Sequence, residues 1–471
     1  MSKIYAGARL RRLREERRLS QADLARMLRI SPSYLNQMEH DTRPLTVPVL
    51  LRVTESFGVD PDFFSERDTG RLLADLRETL ADELDRAALS AADLAELASR
   101  LPHVAAVLLD LGRGRQALTE HLAALTGDRD DSPAPDAARA RTPHEEIREF
   151  FYRRRNYLHD ADLAAEALAE EIGVRPGEVR RALAARLDER HGVRITADAE
   201  ADRQLHRYDP AARVLRLSPR LRPGQQAFRM ATQLALLEQD ALLSAYASED
   251  YEEGSRTWSL ARIGVAHYLA AALVLPYRAF HTAAEETRYD IERLTDRFGL
   301  GYETVCHRLS TLQRPRLRGV PFSFVRVDRA GNMSKRQSAT GFHFSRAGGT
   351  CPLWNVYEAF AAPGRIHVQV AAMPDGQRYL WTARTVTRHR GGWGDPGKTF
   401  AIGLGCELRH ASRLVYSDGL DLDNRAAATP IGMGCRVCER LDCPQRAVPP
   451  LGRALAVDEH TSTFVPYAVE G

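Results

Sequence analysis

Residues 20–44 read SQADLARMLRISPSYLNQMEHDTRP. Ser20 precedes a run with the apolar spacing of a short helix, and its hydroxyl can cap that helix at its start. Ser31 can cap a second helix, and Pro32 suits the first helical position because no backbone N–H is needed there. The stretch therefore predicts two short helices joined by a tight turn, which is a helix-turn-helix.

The second predicted helix has one apolar side and one polar side. Leu35 and Met38 are expected to face a core. The outward residues are Ser33, Tyr34, Asn36 and Gln37. Amide and hydroxyl groups near a helix N-terminus suit the base edges of the major groove, so this helix is predicted to read DNA.

The charge of the first segment agrees with a nucleic-acid partner. Residues 1–18 hold seven Lys or Arg residues against two Glu, although the whole chain carries a net charge of only +3. Positive charge ahead of the motif would lie near phosphates. The alternative is a basic helix that is merely solvated.

Residues 20–44 resemble the Xre/Cro-type repressor family. The matching positions are Gln21, Leu24–Ala25, Ser31, Ser33, Glu39 and Arg43–Pro44. In that family the corresponding glutamine and the second helix contact DNA. The resemblance implies DNA contacts by Gln21, Ser31, Ser33, Tyr34, Asn36, Gln37 and Arg43. A homodimer or higher oligomer is expected, because paired half-sites compensate for the small DNA surface that one motif covers.

The chain of 471 residues is too long for one ordinary core. It has no run of eighteen apolar residues, and its first residues are too charged for a signal peptide, so we expect a soluble, cytoplasmic protein without a membrane partner. The six cysteines are then expected to be ligands or free thiols rather than disulfides.

Periodicity predicts a multidomain α+β protein. The expected domains are an all-α helix-turn-helix domain over residues 1–66, a helical connector and flexible linker over 67–143, a mostly α domain with a small β-hairpin over 144–318, and a mixed α/β domain with a cysteine cluster over 319–471. Further expected helices lie at about 223–244, 255–275, 285–298 and 301–312, and expected strands at 193–196, 322–327, 366–370 and 379–383.

The region 144–318 resembles the ImmA/IrrE metallopeptidase-like family. The resemblance rests on residues 229–236, 270–276 and 294–309. Active members place His-Glu-x-x-His on the first of these segments, where two imidazoles bind zinc and the glutamate is the general base. This chain has Thr232, Gln233 and Leu236 at those positions. We therefore expect no peptidase activity and interpret the region as a ligand sensor, with a structural spacer as the alternative.

Three cysteines stand close together near the C-terminus. Cys435, Cys438 and Cys443 have the spacing Cys-x2-Cys-x4-Cys and are followed by proline, which is typical of iron–sulfur ligands although the spacing differs from that of ferredoxins. The first choice for a fourth ligand is Cys406, and the second is Cys351. Structural zinc, with Cys406 or His410 as the fourth ligand, and uncommitted thiols are the alternatives.

The order of these segments resembles the short-chain fatty acyl transcriptional regulator family. The sharpest stretches are residues 31–48, 331–339, 351–360 and the terminal cysteines. The resemblance implies control of propionate, methylcitrate or glyoxylate-cycle genes. It also implies an acyl-CoA effector, such as propionyl-CoA, and a four-iron (4Fe-4S) cluster.

An acyl-CoA effector needs basic groups for its phosphates and an apolar channel for its arm. The predicted effector-binding residues are Arg229, Tyr268, Arg278, Lys335 and Arg336. One alternative is an acyl-CoA hydrolase or thioesterase that would use His343, His367 or Cys351, although these residues show no triad spacing. Another is a phage-type repressor cleaved within residues 127–143.

Overall fold

The computed structural model describes residues 7–17, 19–40, 42–57, 67–80, 91–102, 104–112, 114–115, 143–197, 204–340, 342, 351–388, 393–394, 397–435, 438–450 and 455–469. Two compact units follow one another along the chain. Unit 1 is Met1–Ala138 and unit 2 is Arg139–Gly471. Together they confirm the predicted multidomain α+β class.

Unit 1 is helical in its described part. Its helices are α1 (Gly7–Glu16), α2 (Gln21–Met27), α3 (Pro32–Glu39), α4 (Val47–Phe57), α5 (Arg67–Thr79) and α6 (Ala91–Arg100). Ser20 and Ser31 cap α2 and α3 as predicted, each hydroxyl accepting a backbone N–H at 3.1 Å. Leu24, Leu35 and Met38 are buried in one small core with α1 and α4, which fixes the helix-turn-helix geometry.

The predicted connector has a separate core. Leu76 of α5 packs with Leu94 of α6 and with Ala105 and Leu109 of the helical segment 104–112. The predicted linker 127–143 lies outside the described residues except for its last residue.

Unit 2 begins with a helical layer. Its helices are α7 (Pro143–Arg153), α8 (His159–Glu171), α9 (Val179–His191), α10 (Pro223–Glu238), α11 (Asp240–Ser248), α12 (Arg256–Val274), α13 (Tyr277–Glu286), α14 (Ile291–Phe298) and α15 (Tyr302–Leu309). The segments predicted as single helices at 223–244 and 285–298 are each divided. The first is divided at Gln239 into α10 and α11. The second contains the end of α13, then a turn in which Arg288 and Tyr289 have positive φ, and then α14.

A three-stranded sheet precedes α10. The strands β1 (Arg194–Ala197), β2 (His206–Asp209) and β3 (Val214–Leu217) have the order β1-β3-β2. The predicted hairpin is formed by β2 and β3, and β1 pairs parallel to β3.

The last part of unit 2 contains a six-stranded sheet. Its strands are β4 (Ser323–Val327), β5 (Met333–Ser338), β6 (His367–Ala372), β7 (Arg378–Arg388), β8 (Lys398–Glu407) and β9 (Thr429–Pro430), in the order β5-β4-β8-β7-β6-β9. All neighbours are antiparallel except β6 and β9. A short helix, α16 (Asn355–Glu358), packs beside them.

The two faces of this sheet belong to different cores, because side chains alternate along a strand. Phe324, Leu380 and Leu404 face the helical layer and share its core. Val325 and Trp381 face the other side and pack with α16. The domains predicted on either side of residue 318 therefore share one core within unit 2.

Helices α12 and α13 are consecutive, and α12 is largely apolar. No single described helix is long and apolar enough to cross a bilayer. Helices α12 and α13 together have the length and composition of a membrane span, but they are bent by 61° relative to each other. Most of α12 is buried in the core of unit 2, with Val265, Ala270 and Val274 fully buried.

Candidate DNA-binding, effector and cysteine sites

The predicted DNA-reading surface is held in place by one buried carboxylate. Glu39 accepts hydrogen bonds from Arg14 Nε at 2.7 Å and from Gln21 Nε2 at 2.7 Å. Gln21 also lies 3.3 Å from Asn36 Oδ1. Glu39 on α3 thus joins α1 and α2 to α3 through hydrogen bonds, a role that the sequence did not indicate.

The exposed side of α3 continues into an open groove. Asn36 and Arg43 are exposed and Gln37 is half-buried, and all three line this groove with His40 and Thr42. Thr42 Oγ1 donates to the Gln37 carbonyl at 2.7 Å, which fixes the turn after α3. His40 and Thr42 are additional candidates for DNA contact.

The other predicted DNA contacts lie around the start of α3. Ser31 and Ser33 are exposed. Tyr34 is half-buried, and the Arg43 guanidinium lies 5.7 Å from the centre of its ring. Of the basic residues ahead of the motif, Lys3 and Arg18 lie outside the described residues, and Arg14 is the group that pairs with Glu39.

The positions that hold zinc ligands in active peptidases are packed into α10. Thr232 is buried and donates its hydroxyl to the Phe228 carbonyl at 2.8 Å. Gln233 is also buried, and Leu236 packs against the core of unit 2. These side chains therefore serve helix packing.

A buried ionic network lies deep in unit 2, and sequence reasoning missed it. Arg308 of α15 forms a bidentate pair with Asp162 of α8, with N–O distances of 2.8 and 3.0 Å. Arg314 pairs with Glu166 at 2.7 Å. Asp162 and Glu166 are one turn apart on α8, and this i,i+4 spacing of two acids was the available signal.

This network accounts for two predicted effector residues. Tyr268 is buried and donates its hydroxyl to Asp162 Oδ2 at 2.7 Å. The Arg278 backbone N–H donates to Glu166, and the residue is exposed. The structure therefore places Tyr268 in the ionic network and Arg278 at its edge, apart from the other predicted effector residues.

Arg229 and Lys335 come together with three histidines between the helical layer and the six-stranded sheet. We call this set the basic cluster: His206 on β2, Arg229 on α10, His267 on α12, His307 on α15 and Lys335 on β5. Each of the five side chains is half-buried. Among the described residues, neither Arg229 nor Lys335 has a hydrogen-bond or ion-pair partner.

Burial and mutual repulsion act together on these groups. Burial, followed by Arg229 and Lys335, lowers the pKa of His267 to about 3. Burial and Lys335 hold the pKa of His307 well below its usual range. Burial also lowers the pKa of Lys335 to about 8. The histidines are therefore neutral near pH 7 while Arg229 and Lys335 carry charge.

Aromatic rings line the same region. Phe228 lies 5.8 Å from His267 between ring centres. The Lys335 ammonium lies 5.8 Å from the centre of the Phe324 ring. Aromatic side chains therefore lie next to cationic and imidazole groups of the basic cluster.

Arg336 does not belong to the basic cluster. It follows Lys335 on β5, so its side chain points to the opposite face of the sheet. The register agrees, since Lys335 pairs with Arg326 and Arg336 with Val325, which lies in the core beyond the sheet.

Four cysteines line one small cavity: Cys351, Cys435, Cys438 and Cys443. Burial, followed by the neighbouring thiols of Cys438 and Cys435, raises the pKa of Cys351. Burial also raises the pKa of Cys438 and outweighs the opposite effect of Arg446 and Arg440. In the described part of the chain, no group of three or more His, Cys, Asp or Glu side chains is arranged as a metal site. The thiols share a cavity, therefore, without a ligand geometry.

The expectation that Cys406 is the fourth member of this set does not match the geometry. Cys406 lies on β8, fully buried in the core shared with the helical layer. Cys351 packs on the other face of the same sheet. The sheet therefore separates Cys406 from the cavity, and Cys351, the second choice, lies in it. The alternative zinc ligand His410 does not line the cavity.

The backbone around the cysteine cavity is held by arginines. Arg446 donates to the carbonyls of Cys435 at 2.9 Å and Cys438 at 2.7 Å. A methyl group on Gly432 would lie 2.7 Å from the Cys438 sulfur, so the cavity needs glycine there. Three thiols on one loop and a fourth from Cys351, with no competing carboxylate in the lining, are the donor set of an iron–sulfur or zinc–thiolate centre.

Two residues of the hydrolase alternative, His367 on β6 and Cys351, lie in the described part of the chain. His343 lies outside the described residues. Cys351 lines the cysteine cavity, where burial raises its pKa and so opposes formation of a thiolate nucleophile. Cys306 is fully buried in the core of unit 2.

Three family descriptions match consecutive parts of the chain. Residues 10–64 match a helix-turn-helix family, residues 188–310 an IrrE N-terminal-like domain, and residues 311–467 the C-terminal domain of short-chain fatty acyl coenzyme A regulators. The order and position of these matches agree with the segments described above.

Several characterised proteins are similar over their whole length. The HTH-type transcriptional regulator RamB of Mycobacterium tuberculosis is 58% identical over 100% of both chains, and PrpR of the same organism is 49% identical over 99% of this chain and 96% of its own. A propionyl-CoA carboxylase regulator of Cereibacter sphaeroides is 44% identical over 99% of both. A solved Mycobacterium tuberculosis transcriptional regulator is 53% identical with a TM-score of 0.68, covering 70% of this chain and 100% of its own.

Proposed function

The chain belongs to the family of short-chain fatty acyl coenzyme A regulators, and on that premise we propose that it controls propionate, methylcitrate or glyoxylate-cycle genes in response to an acyl-CoA. It is a DNA-binding transcriptional regulator related to RamB and PrpR. The observation that carries the proposal is the full-length similarity together with the exposed α3 surface.

In this proposal α3 lies in the major groove of operator DNA in the cytoplasm. Asn36 and Gln37 are placed to pair with base edges, and Arg43 and the hydroxyl of Ser31 are placed to contact phosphates. A homodimer would present two such helices one helical turn apart. Sedimentation of the full chain with and without operator DNA measures this stoichiometry.

Unit 2 acts as the sensor and has no catalytic role. The peptidase-like helix offers Thr232, Gln233 and Leu236, which supply no zinc-binding pair and no general base. An effector therefore acts by occupancy, and it changes DNA affinity only as far as it binds the two conformations differently.

The cysteine cavity is proposed to hold a four-iron (4Fe-4S) cluster, with zinc as the alternative metal. The ligands would be Cys351, Cys435, Cys438 and Cys443, which have the thiol chemistry that either centre requires. When bound, a cluster would cross-link the loop 435–443 to the segment after residue 351 and supply a redox-responsive group. Iron, sulfide and zinc analysis of anaerobically purified protein distinguishes the two metals.

The deciding experiment is a gel shift with DNA from upstream of candidate target genes. Saturating propionyl-CoA should change the apparent affinity of the full chain by roughly 5- to 150-fold, the usual range of allosteric coupling. Asn36→Ala should weaken the specific complex while nonspecific binding stays unchanged. Identical affinity with and without the thioester would refute the sensor role, and release of free thiol from it would support the hydrolase alternative.

A further inference from the structure

Three side chains of the helix-turn-helix form a hydrogen-bond network that runs from its core to its exposed surface. Glu39 on α3 is 5% exposed, Gln21 on α2 is half-buried and Asn36 on α3 is exposed. Gln21 Nε2 donates to Glu39 Oε2 at 2.7 Å and to Asn36 Oδ1 at 3.3 Å. We call these three side chains the amide network. Its buried end determines the direction of every hydrogen bond in it.

The buried end of the amide network accepts hydrogen bonds only. Glu39 forms a two-point ion pair with Arg14, whose Nε lies 2.7 Å from one carboxylate oxygen and whose Nη2 lies 3.1 Å from the other. An ionised carboxylate has lone pairs but no hydrogen to donate. The Gln21 amide therefore points its NH2 group, and not its carbonyl oxygen, toward Glu39.

The orientation of Gln21 decides the polarity of Asn36. One hydrogen of Gln21 Nε2 goes to Glu39, and the other is directed at Asn36. The Asn36 atom that receives it is the acceptor Oδ1, because a flipped Asn36 would place two donors against each other. Asn36 Nδ2, which carries two hydrogens, is then the group that remains for a base in the groove lined by α3.

We propose that the amide network makes Asn36 a reader of guanine. This rests on the proposed operator binding by α3 and specifies the base that Asn36 recognises. A free asparagine side chain pairs with adenine, donating to N7 and accepting from N6. With Oδ1 occupied by Gln21, Asn36 offers two donors. Guanine presents two acceptors, N7 and O6, in the major groove, whereas the N6 amino group of adenine would face a second donor.

Gln21 acts on base selection through Asn36. Both hydrogens of its Nε2 are used within the protein, so only its Oε1 is left for DNA. A carbonyl oxygen cannot bond to a phosphate oxygen, because both are acceptors. A direct DNA contact by the Gln21 side chain would therefore be with a base amino group, and its main effect is to hold Asn36 in one orientation.

The test begins with operator duplexes selected from random sequence by the full wild-type chain. Fluorescence anisotropy of single-base variants then identifies the base pair read by Asn36, as the position at which Asn36→Ala no longer distinguishes the four bases. The wild type should prefer guanine to adenine there by about 5- to 150-fold, the range for one well-formed base contact. Substitution of 7-deazaguanine, which lacks the N7 acceptor, should weaken the wild type by at least about 5-fold and leave Asn36→Ala unaffected.

A second comparison tests the role of Gln21. Gln21→Met removes the donor to Asn36 Oδ1, so the asparagine can turn and pair with adenine, and the preference for guanine should fall below about 3-fold. Gln37→Met, which removes another amide from the same groove but not from the amide network, is the matched control. It should keep the guanine preference at that base pair, whatever its effect on total affinity. The 7-deazaguanine comparison in the wild type does not depend on the folding of any variant.

The outcomes separate this inference from the proposed function. A preference for adenine at the Asn36 position, or tolerance of 7-deazaguanine there, would overturn the assigned polarity and leave operator binding intact. An unchanged guanine preference in Gln21→Met would overturn the role of Gln21, and unchanged base discrimination in Asn36→Ala would overturn that of Asn36. Failure to select any sequence would refute specific DNA binding itself, and this inference with it.

Discussion

Asp162→Asn should be among the most destabilising single substitutions in unit 2. The Asp162 carboxylate accepts hydrogen bonds from two guanidinium nitrogens of Arg308, and both side chains are excluded from solvent. Burial alone would lower the pKa of Arg308, but the charge of Asp162 outweighs it and raises that pKa. The asparagine leaves the guanidinium charged and buried without its counter-ion.

Breaking a buried ion pair by removing one partner costs about 3–5 kcal/mol. At about 2.1 cal/mol/K of unfolding entropy per residue, a unit that spans residues 139–471 should lose about 4–7 °C of Tm. All four tryptophans of the chain lie in unit 2. Tryptophan fluorescence of the full-length protein during heating therefore follows this unit without contribution from unit 1.

Asp418→Asn is the matched control, because Asp418 forms the same bidentate pair with Arg288 at N–O distances of 2.8 and 2.9 Å. That pair is exposed, with 46% and 58% of the two side chains accessible, so water and salt screen it. It should leave Tm close to that of the wild type. Equal Tm shifts for the two variants would refute the argument that burial, rather than pairing itself, sets the cost.

Three further outcomes follow from the structure. Cys351→Ala should abolish retention of iron or zinc in metal analysis. Cys406→Ala should retain the metal, because the sheet lies between Cys406 and the cavity. Loss of metal from Cys406→Ala but not from Cys351→Ala would restore Cys406 as a ligand. Glu39→Gln should accelerate amide hydrogen exchange throughout α2 and α3, because Arg14 and Gln21 lose their shared acceptor; unchanged exchange would deny Glu39 that role. Burial acts to raise the pKa of Glu238, but the hydrogen bond from Arg186 outweighs burial and brings this pKa below its usual 4.5. The ionised Glu238 carboxylate therefore stabilises the fold above that pH, and its contribution is lost as the pH falls. Glu238→Gln should flatten the acid limb of a curve of unfolding free energy against pH.

Local signals in the sequence were sufficient to predict many of the helices and strands. Caps at Ser20 and Ser31 identified the helix-turn-helix, because a cap is set by one side chain and the backbone two or three residues on. The alternation at 322–327 predicted β4 for the same local reason. The two divided helices could not be foreseen, since helical periodicity continues across Gln239 and tertiary packing determines the break.

The sites could be predicted only in part, because they depend on residues far apart in the sequence that the fold brings together. Arg229 and Lys335 could be named as basic residues, but their meeting with His267 depends on how the sheet packs on the helices. The choice between Cys351 and Cys406 depends on which face of the six-stranded sheet each thiol lies on, and for Cys406 this follows from strand register. Asp162 and Arg308 are 146 residues apart, and no spacing rule connects them.

The basic cluster, which holds two of the predicted effector residues, and the proposed metal site lie on opposite faces of one sheet, and this has a thermodynamic consequence. Lys335 and Cys406 face the helical layer, whereas Cys351 lies with the core on the far side. If metal in the cysteine cavity changes the affinity for the effector by some factor, the effector must change the affinity for the metal by the same factor. Strands β4 and β8 lie between the two cores, and a rigid sheet can couple them only if it has two arrangements that both ligands bias. Redox sensing and metabolite sensing would then be two inputs to a single equilibrium, so neither input could be interpreted without measuring occupancy of the other site.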